Sequence, residues 1–388
     1  MQIPRLSPPR LRTASHEDHR SATWLELFYD LVFVVAVGQL GHRLAVNHGV
    51  GGVWGFIGLF IPLWWTWASY TFYADRYDTD DLGQRLLAVG QMASIAIMAA
   101  SISGDEADSV TAFAAAFVMA RAVLLAMYYR AYRHVPQSRE LVAGYLTGFS
   151  IGGAFWLLSI WVPDPARFIL WGIGLAIDFY TPFHLRERQK RVPLSVSHLP
   201  ERFGLFTILV LGESFVAIVG ALSHHKWDLS FTIAAVLGVA VATSLWWLYF
   251  DNQQGDVVRR SDTGKAWKPT AWIYSHLPLV VSITTAGIGL EFLVAQEDHG
   301  PGRWMVGGGA AVVMLSLALM SIAANRGHDE LDRRQAVSRV VAAGAFIVVA
   351  LISESWAPNV IMLVVLVIAG LSIADDVRLG LGGSQADE

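Results

Sequence analysis

Twelve times along this chain, a run of mostly apolar residues reaches the length that a helix needs to cross a bilayer. About 20 residues at 1.5 Å each span the hydrocarbon core. Such runs lie at roughly 24–46, 52–73, 85–103, 108–131, 140–161, 166–182, 203–223, 229–250, 270–294, 303–325, 336–353 and 357–375. Of the 388 residues, 54% are hydrophobic and only 15% charged, whereas a soluble protein has about 25% charged residues. The expectation is an all-α integral membrane protein with about twelve transmembrane helices, the lipid bilayer being its first partner.

Lys and Arg set the orientation. They crowd the first tail (Arg5, Arg10, Arg12, Arg20) and then every second loop, most densely at Arg186, Arg188, Lys190, Arg191 and Arg202. The intervening loops hold few: Arg43, Arg167, Lys226 and Arg303. This alternation predicts an even helix count with both termini cytoplasmic. The basic first tail, with no apolar run and small-residue cleavage site close behind, reads as a tail rather than a cleaved signal peptide.

The chain also repeats. Phe33–His42 (FVVAVGQLGH) aligns with Phe215–His224 (FVAIVGALSH), and the same offset brings Leu63–Trp67 (LWWTW) onto Leu245–Tyr249 (LWWLY). Later, Trp161-Val-Pro163 matches Trp356-Ala-Pro358. Two six-helix repeats follow, parallel because six is even. The expected divisions are a basic cytoplasmic tail (1–22), a first repeat (23–182), a basic cytoplasmic linker (183–202), a second repeat (203–376) and a short cytoplasmic tail (377–388).

Two longer motifs point to a family. Trp24–Phe33 reads WLELFYDLVF; His198–Phe206 reads HLPERFGLF and continues into Leu211–Ser214, LGES. Together they resemble the bacterial low temperature requirement A (LtrA) family, over about residues 20–375. Tyr29 stands where that motif more often has Phe. The resemblance implies a multi-pass inner-membrane protein linked to cold or stress adaptation, without a defined reaction. The segment FYDLVF is also similar to the FSDxVF motif of lysosomal potassium channels.

Charges inside apolar runs are the candidates for function, since each costs roughly 2.5–3.5 kcal/mol on the insertion scale. Glu26 and Asp30 share one face at i, i+4, and the structural reading places them at the cytoplasmic interface, paired with arginines of the tail or loops. Glu213, between Gly212 and Ser214, lies near mid-membrane if its helix opens at Phe203. Arg121 is the central base, and an Arg121–Glu213 pair is the structural reading. Asp178 lies near a helix end. In HLPER, His198, Glu201 and Arg202 precede or open a helix, and a gate-like salt bridge of Glu201 and Arg202 with nearby carboxylates is the simplest reading. His276 suits an interhelical hydrogen bond or a proton relay. The acidic loop Asp75–Asp81 reads as a solvated turn, and the 15 Trp as an interfacial belt.

The candidate substrate- or ion-binding residues are therefore Glu26, Asp30, Arg121, Asp178, His198, Glu201, Arg202, Glu213, Ser214 and His276. With no Cys, no HxxxH and no calcium-loop spacing, neither metal nor cofactor is expected, and no nucleotide loop is present. A net charge of −4 gives no reason for a nucleic-acid partner. The reading is a non-enzymatic secondary transporter or permease of an unknown small molecule or ion, with intramembrane carboxylates as proton or ion sites and a homo-oligomer as a further option. The alternatives are an ion channel, or a non-transporting scaffold or lipid-acting protein.

Overall fold

The computed structural model describes residues 7–12, 23–78, 80–104, 107–195, 198–223, 229–251, 267–296, 299–323 and 329–384. The long helices are α1 (Trp24–Val46), α2 (Val50–Arg76), α3 (Leu82–Ile102), α4 (Ala107–His134), α5 (Arg139–Ser159), α6 (Ala166–His184), α7 (His198–Ser223), α8 (Leu229–Phe250), α9 (Lys268–Ala295), α10 (His299–Ala323), α11 (Asp329–Ile352) and α12 (Pro358–Ser384). Each expected run falls on one of them. Among the described residues, eleven helices are long and apolar enough to cross a membrane, and α6 is not one of these. Its 19 residues carry Arg167, Asp178, Thr181 and Pro182. Even so, α6 is built inside out. Arg167, Trp171, Gly174, Asp178 and Thr181 are buried along one stripe, while Phe168, Ile169, Ile173, Tyr180 and Phe183 are exposed. Spacings of three and four residues put each set on its own face.

The chain divides into two compact units. One comprises the residues up to Arg43 together with Gly55–Arg202; the other comprises Leu44–Trp54 and the residues from Phe203 onward. In the first unit α2 is the inner helix, with every side chain from Pro62 to Tyr73 buried. A helix that is apolar on all sides belongs in a core. Trp64, Trp65, Trp67 and Trp156 are fully buried there, so these tryptophans form packing rather than an interfacial belt. Around it α3 packs on α4, α4 on α5 and α5 on α6. In the second unit α9 packs on α10, α10 on α11 and α8 on α12.

Small residues let two of these contacts close. Gly144, Gly148 and Gly152 on α5 face Leu185, Thr181 and Asp178 with no room for a Cβ. In the second unit Gly287 of α9 meets Ser214 of α7 in the same way. Ser214 is thus a packing residue between helices, as small residues in membranes commonly are.

The loop after α2 is not a solvated turn. Arg10–Leu11 (β1) pairs antiparallel with Tyr77–Asp78 (β2), and the Arg12 N–H donates to the Arg76 carbonyl at 3.0 Å. Asp75 and Asp81 are buried. Asp81 caps α3 by accepting from the Gln84 N–H (2.9 Å). It also accepts from the Ser7 N–H (3.1 Å) and from Arg130 (2.9 Å). Burial pushes its carboxyl up, but those two backbone N–H groups and the Arg130 guanidinium outweigh it and hold it below the usual carboxylate range. A lowered native pKa gives stability that is complete above the ordinary Asp value of about 3.9. That stability is lost as pH falls through the lowered native value. Hydrogen exchange at the Arg12 amide is therefore expected to be slow at neutral pH and to lose protection below about pH 4. In Asp81→Asn it should be poorly protected throughout. Protection indifferent to both changes would contradict the clamp.

Candidate functional site

The first turn of α1 is fixed by a capping box, Thr23-Trp-Leu-Glu26. The Glu26 N–H donates to Thr23 Oγ1 (3.3 Å), and the Thr23 N–H donates back to Glu26 Oε2 (2.8 Å). Such reciprocal bonds satisfy two donors that a helix start otherwise leaves free. They also aim the Glu26 carboxylate, and one turn later Asp30 follows on the same face.

Across from α1 stands the start of α7. Glu26 Oε2 lies 3.4 Å from His198 Nε2, and Asp30 Oδ1 accepts from Arg202 Nη2 at 2.7 Å. His198 and Arg202 are themselves i, i+4. The two helix starts therefore form a two-rung ladder, acids on α1 and bases on α7. Glu201, one residue before Arg202, points elsewhere, because neighbours in a helix do not share a face. Arg202 pairs with Asp30 rather than with Glu201.

Helix α2 completes both rungs. Asp75 Oδ1 sits 3.1 Å from His198 Nδ1, so the imidazole is held between two carboxylates. Asp75 Oδ2 accepts from the Ser195 N–H (2.7 Å), and Ser195 Oγ accepts from the His198 N–H (3.2 Å). Arg12 Nη1 is 3.9 Å from Asp75. On the deeper rung Trp67 Nε1 donates to Asp30 Oδ1 at 2.8 Å. Asp30 and Arg202 are both wholly shielded from solvent. Their contact is nevertheless single-pronged. Among the described residues, Asp30 Oδ2 and Arg202 Nε and Nη1 have no hydrogen-bond partner.

A second buried pair lies between α4 and α6. Arg121 Nη2 donates to Asp178 Oδ2 at 2.6 Å. The guanidinium rests over the Phe117 and Phe149 rings, 5.1 and 4.8 Å from their centroids, and the Trp65 indole lies beside Asp178. Asp178 is therefore a core residue rather than an interfacial one. Gly152 explains how it fits, since any side chain at that position of α5 would occupy the carboxylate's place. This pair is single-pronged too, leaving Arg121 Nε and Nη1 and Asp178 Oδ1 without hydrogen-bond partners among the described residues. Arg121 is committed to Asp178 and not to Glu213.

The motifs that build the ladder, WLELFYD and HLPER, both fall inside residues 21–370. Over that range the chain matches the family model described as Bacterial low temperature requirement A protein (LtrA). The chain belongs to the LtrA family. A curated protein of Rhizobium meliloti (strain 1021), "Uncharacterized protein RA0937", is 27% identical over 293 residues, covering 72% of this chain and 71% of that protein. Its name assigns no activity that could be carried across.

The remaining candidates of this LtrA protein lie in the second unit. Glu213, in α7, is half-buried, and among the described residues it has no hydrogen-bond or ion-pair partner. His276 is fully engaged. Its Nδ1 faces the Trp272 carbonyl (2.8 Å) and its Nε2 the Tyr249 hydroxyl (3.1 Å). A carbonyl only accepts, so Nδ1 carries the proton and Nε2 accepts from Tyr249, the arrangement of a neutral imidazole. His276 thus links α8 to α9.

Sequence reasoning passed over Asp75 and Trp67 as parts of the ladder. Asp75 was hidden among the acids of the following loop, and Trp67 among apolar neighbours.

Proposed function

We propose that this LtrA-family protein is a secondary transporter of the bacterial inner membrane, both termini cytoplasmic, whose coupling proton resides on Asp30. The observation that carries the reading is the fully buried, single-pronged Asp30–Arg202 pair. A structural ion pair at such depth needs its remaining lone pairs and protons satisfied to offset desolvation. A pair that must open and close is better left half-satisfied. Protonating Asp30 removes the counter-charge of Arg202, which stays charged, and so makes the two protonation states electrostatically distinct.

The outer rung supplies a proton route. His198 has a carboxylate at each ring nitrogen, so it accepts a proton at one nitrogen and releases it from the other. Glu26 stands one turn from Asp30 and receives what His198 releases. Glu213 is the second protonatable site, its half-burial and lack of a partner leaving it open to titration.

The test uses a variant built to keep the fold. Asp30→Asn/Arg202→Gln replaces the ion pair by a neutral hydrogen-bonding pair. Under an imposed pH gradient, charge movement on solid-supported membranes is recorded during perfusion with a small-molecule extract of bacterial cytosol. The wild type is expected to give a saturable, gradient-dependent current. The folded double variant should give none, and Glu213→Gln a current reduced at least about tenfold, the loss that follows from removing one group essential to a coupled step. Equal currents in all three would refute the role. A non-saturating current needing no gradient would favour a channel.

A further inference from the structure

The proposed proton route begins at Asp75, and Asp75 does not reach water. Its side chain is 0% exposed and that of His198 only 3%. Asp75 lies in the last turn of α2, one residue before the helix ends at Arg76, where an acid ordinarily meets solvent. Two stretches of chain cover it. One is the segment leading into α7, whose Ser195 N–H donates to Asp75 Oδ2 (2.7 Å). The other is the N-terminal arm, residues 7–12. Arg12 Nη2 donates to the Ala74 carbonyl (3.4 Å), and Arg12 Nη1 lies 3.9 Å from Asp75 Oδ1. That oxygen is the one that faces His198 Nδ1 at 3.1 Å. Arm and relay therefore meet on a single carboxylate oxygen.

The two covers are held with different firmness. The segment before α7 is pinned by Arg76, which donates to Gln189 Oε1 (3.1 Å) and to the Val192 carbonyl (3.2 Å), and Leu185 and Val192 are buried. The arm lies on the surface. Of its described residues Pro9 alone is buried, and Ser7, Pro8 and Arg10 are exposed. It is fastened by the two-residue ladder of β1 with β2, by the Arg12–Arg76 backbone bond, and at Ser7 by Asp81 and Arg130. A two-stranded pairing is marginal by itself. A segment with few buried apolar contacts opens at lower cost than the helices beneath it. The arm is thus the cover that can lift.

We propose that the N-terminal arm is a gate on the proton route, closed in this structure and opening Asp75 to cytoplasmic water when it lifts. The proposal rests on the transport reading and its orientation. Closure does more than exclude water. It sets the permanent charge of Arg12 beside the oxygen that carries the incoming proton, and a neighbouring cation favours the ionised carboxylate. A proton on Asp75 is accordingly driven off as the arm comes down, toward His198, and the next one enters only after the arm lifts again.

The chain has no Cys, so one engineered pair locks the arm without competing thiols. Arg10 and Asp78 face each other across the ladder. Such partners lie about 4.5–5.5 Å apart, within the range a disulfide spans. Arg10→Cys/Asp78→Cys is compared oxidised and reduced, by pH-gradient-driven current during perfusion with the cytosolic extract and by hydrogen exchange at the Ser195 amide. Oxidation is expected to cut the current at least about tenfold, because a rate that passes through the open state scales with its population. Dithiothreitol should restore it, which sets misfolding aside, and the Cys-free wild type should respond to neither reagent. The Ser195 amide is expected to exchange at least about tenfold more slowly in the locked protein, since its acceptor is no longer uncovered. A locked protein that carries the reduced protein's current overturns the gate and leaves the transport reading intact. No current from the wild type overturns the transport reading instead. The arm then stands as the cover of Asp75 if locking slows Ser195 exchange, and falls if exchange is unchanged. A pair that fails to oxidise in the folded protein would contradict the closed arm itself.

Discussion

Asp30→Ala is expected to destabilise the protein by about 3–5 kcal/mol, the cost of leaving a buried charge without its partner. Arg202 has no escape by deprotonation, since its guanidinium remains charged at any accessible pH. It also has no route to water, because neither side of the Asp30–Arg202 pair is exposed. Arg202→Ala is expected to cost a similar amount, since it leaves the Asp30 carboxylate buried without its base. The double variant Asp30→Asn/Arg202→Gln should cost far less than the sum of the two alanine changes. Neutral partners remove the desolvation problem instead of exposing it. Reversible unfolding in mixed micelles reads this directly, and a double-mutant cycle closed with Asp30→Ala/Arg202→Ala gives the coupling between the two side chains. Additive single effects would mean that the two side chains do not depend on each other.

The second large effect is expected at Gly152. A Cβ there would fall against the Asp178 carboxylate and 3.0 Å from the Gly174 carbonyl oxygen. The first neighbour could rotate, but the second is backbone and cannot. Gly152→Ala is expected to cost about 1–3 kcal/mol through overpacking, and Gly152→Val more. Any relief that moves α6 away also lengthens the Arg121–Asp178 contact of 2.6 Å. The substitution should therefore impair function beyond its effect on folding. Full activity with a normal Tm in Gly152→Val would show that α5 and α6 do not meet as closely as described.

Much of the fold could be read directly from the sequence. Run length alone placed α1 and α8 at their observed bounds, because lipid imposes a fixed length and leaves little room for irregular structure. It also placed α6, expected over 166–182 and observed over Ala166–His184, although Arg167 and Asp178 dilute its apolar signal and it is not among the eleven helices long and apolar enough to cross a membrane. It opened α7 too late. The first turn, HLPER, is polar enough to resemble a loop, yet its polar residues point at other polar residues rather than at water.

The candidate residues were recognised, and loop or tail arginines were among the expected partners of Glu26 and Asp30, but the particular pairs were not. Glu26 and Asp30 were found because an acid in an apolar run is costly wherever it points. Their pairing with His198 and Arg202 joins residues 172 apart, as between Asp30 and Arg202. It does not follow the repeat offset, which sets Trp24 opposite Phe206. At that offset His198 and Arg202 align with His16 and Arg20, which precede α1 and lie outside the described residues. One signal was available. His198 and Arg202 share the four-residue spacing of Glu26 and Asp30, and two such pairs of opposite sign are what a two-rung contact requires.

The central claim is that the ladder between α1 and α7 couples a proton to transport. The most direct measurement is gradient-driven charge movement in membranes holding wild type or the folded Asp30→Asn/Arg202→Gln double variant, at matched protein content and Tm. The wild type is expected to give a saturable current that vanishes in the double variant. A double variant that carries the wild-type current with unchanged dependence on the pH gradient would contradict it.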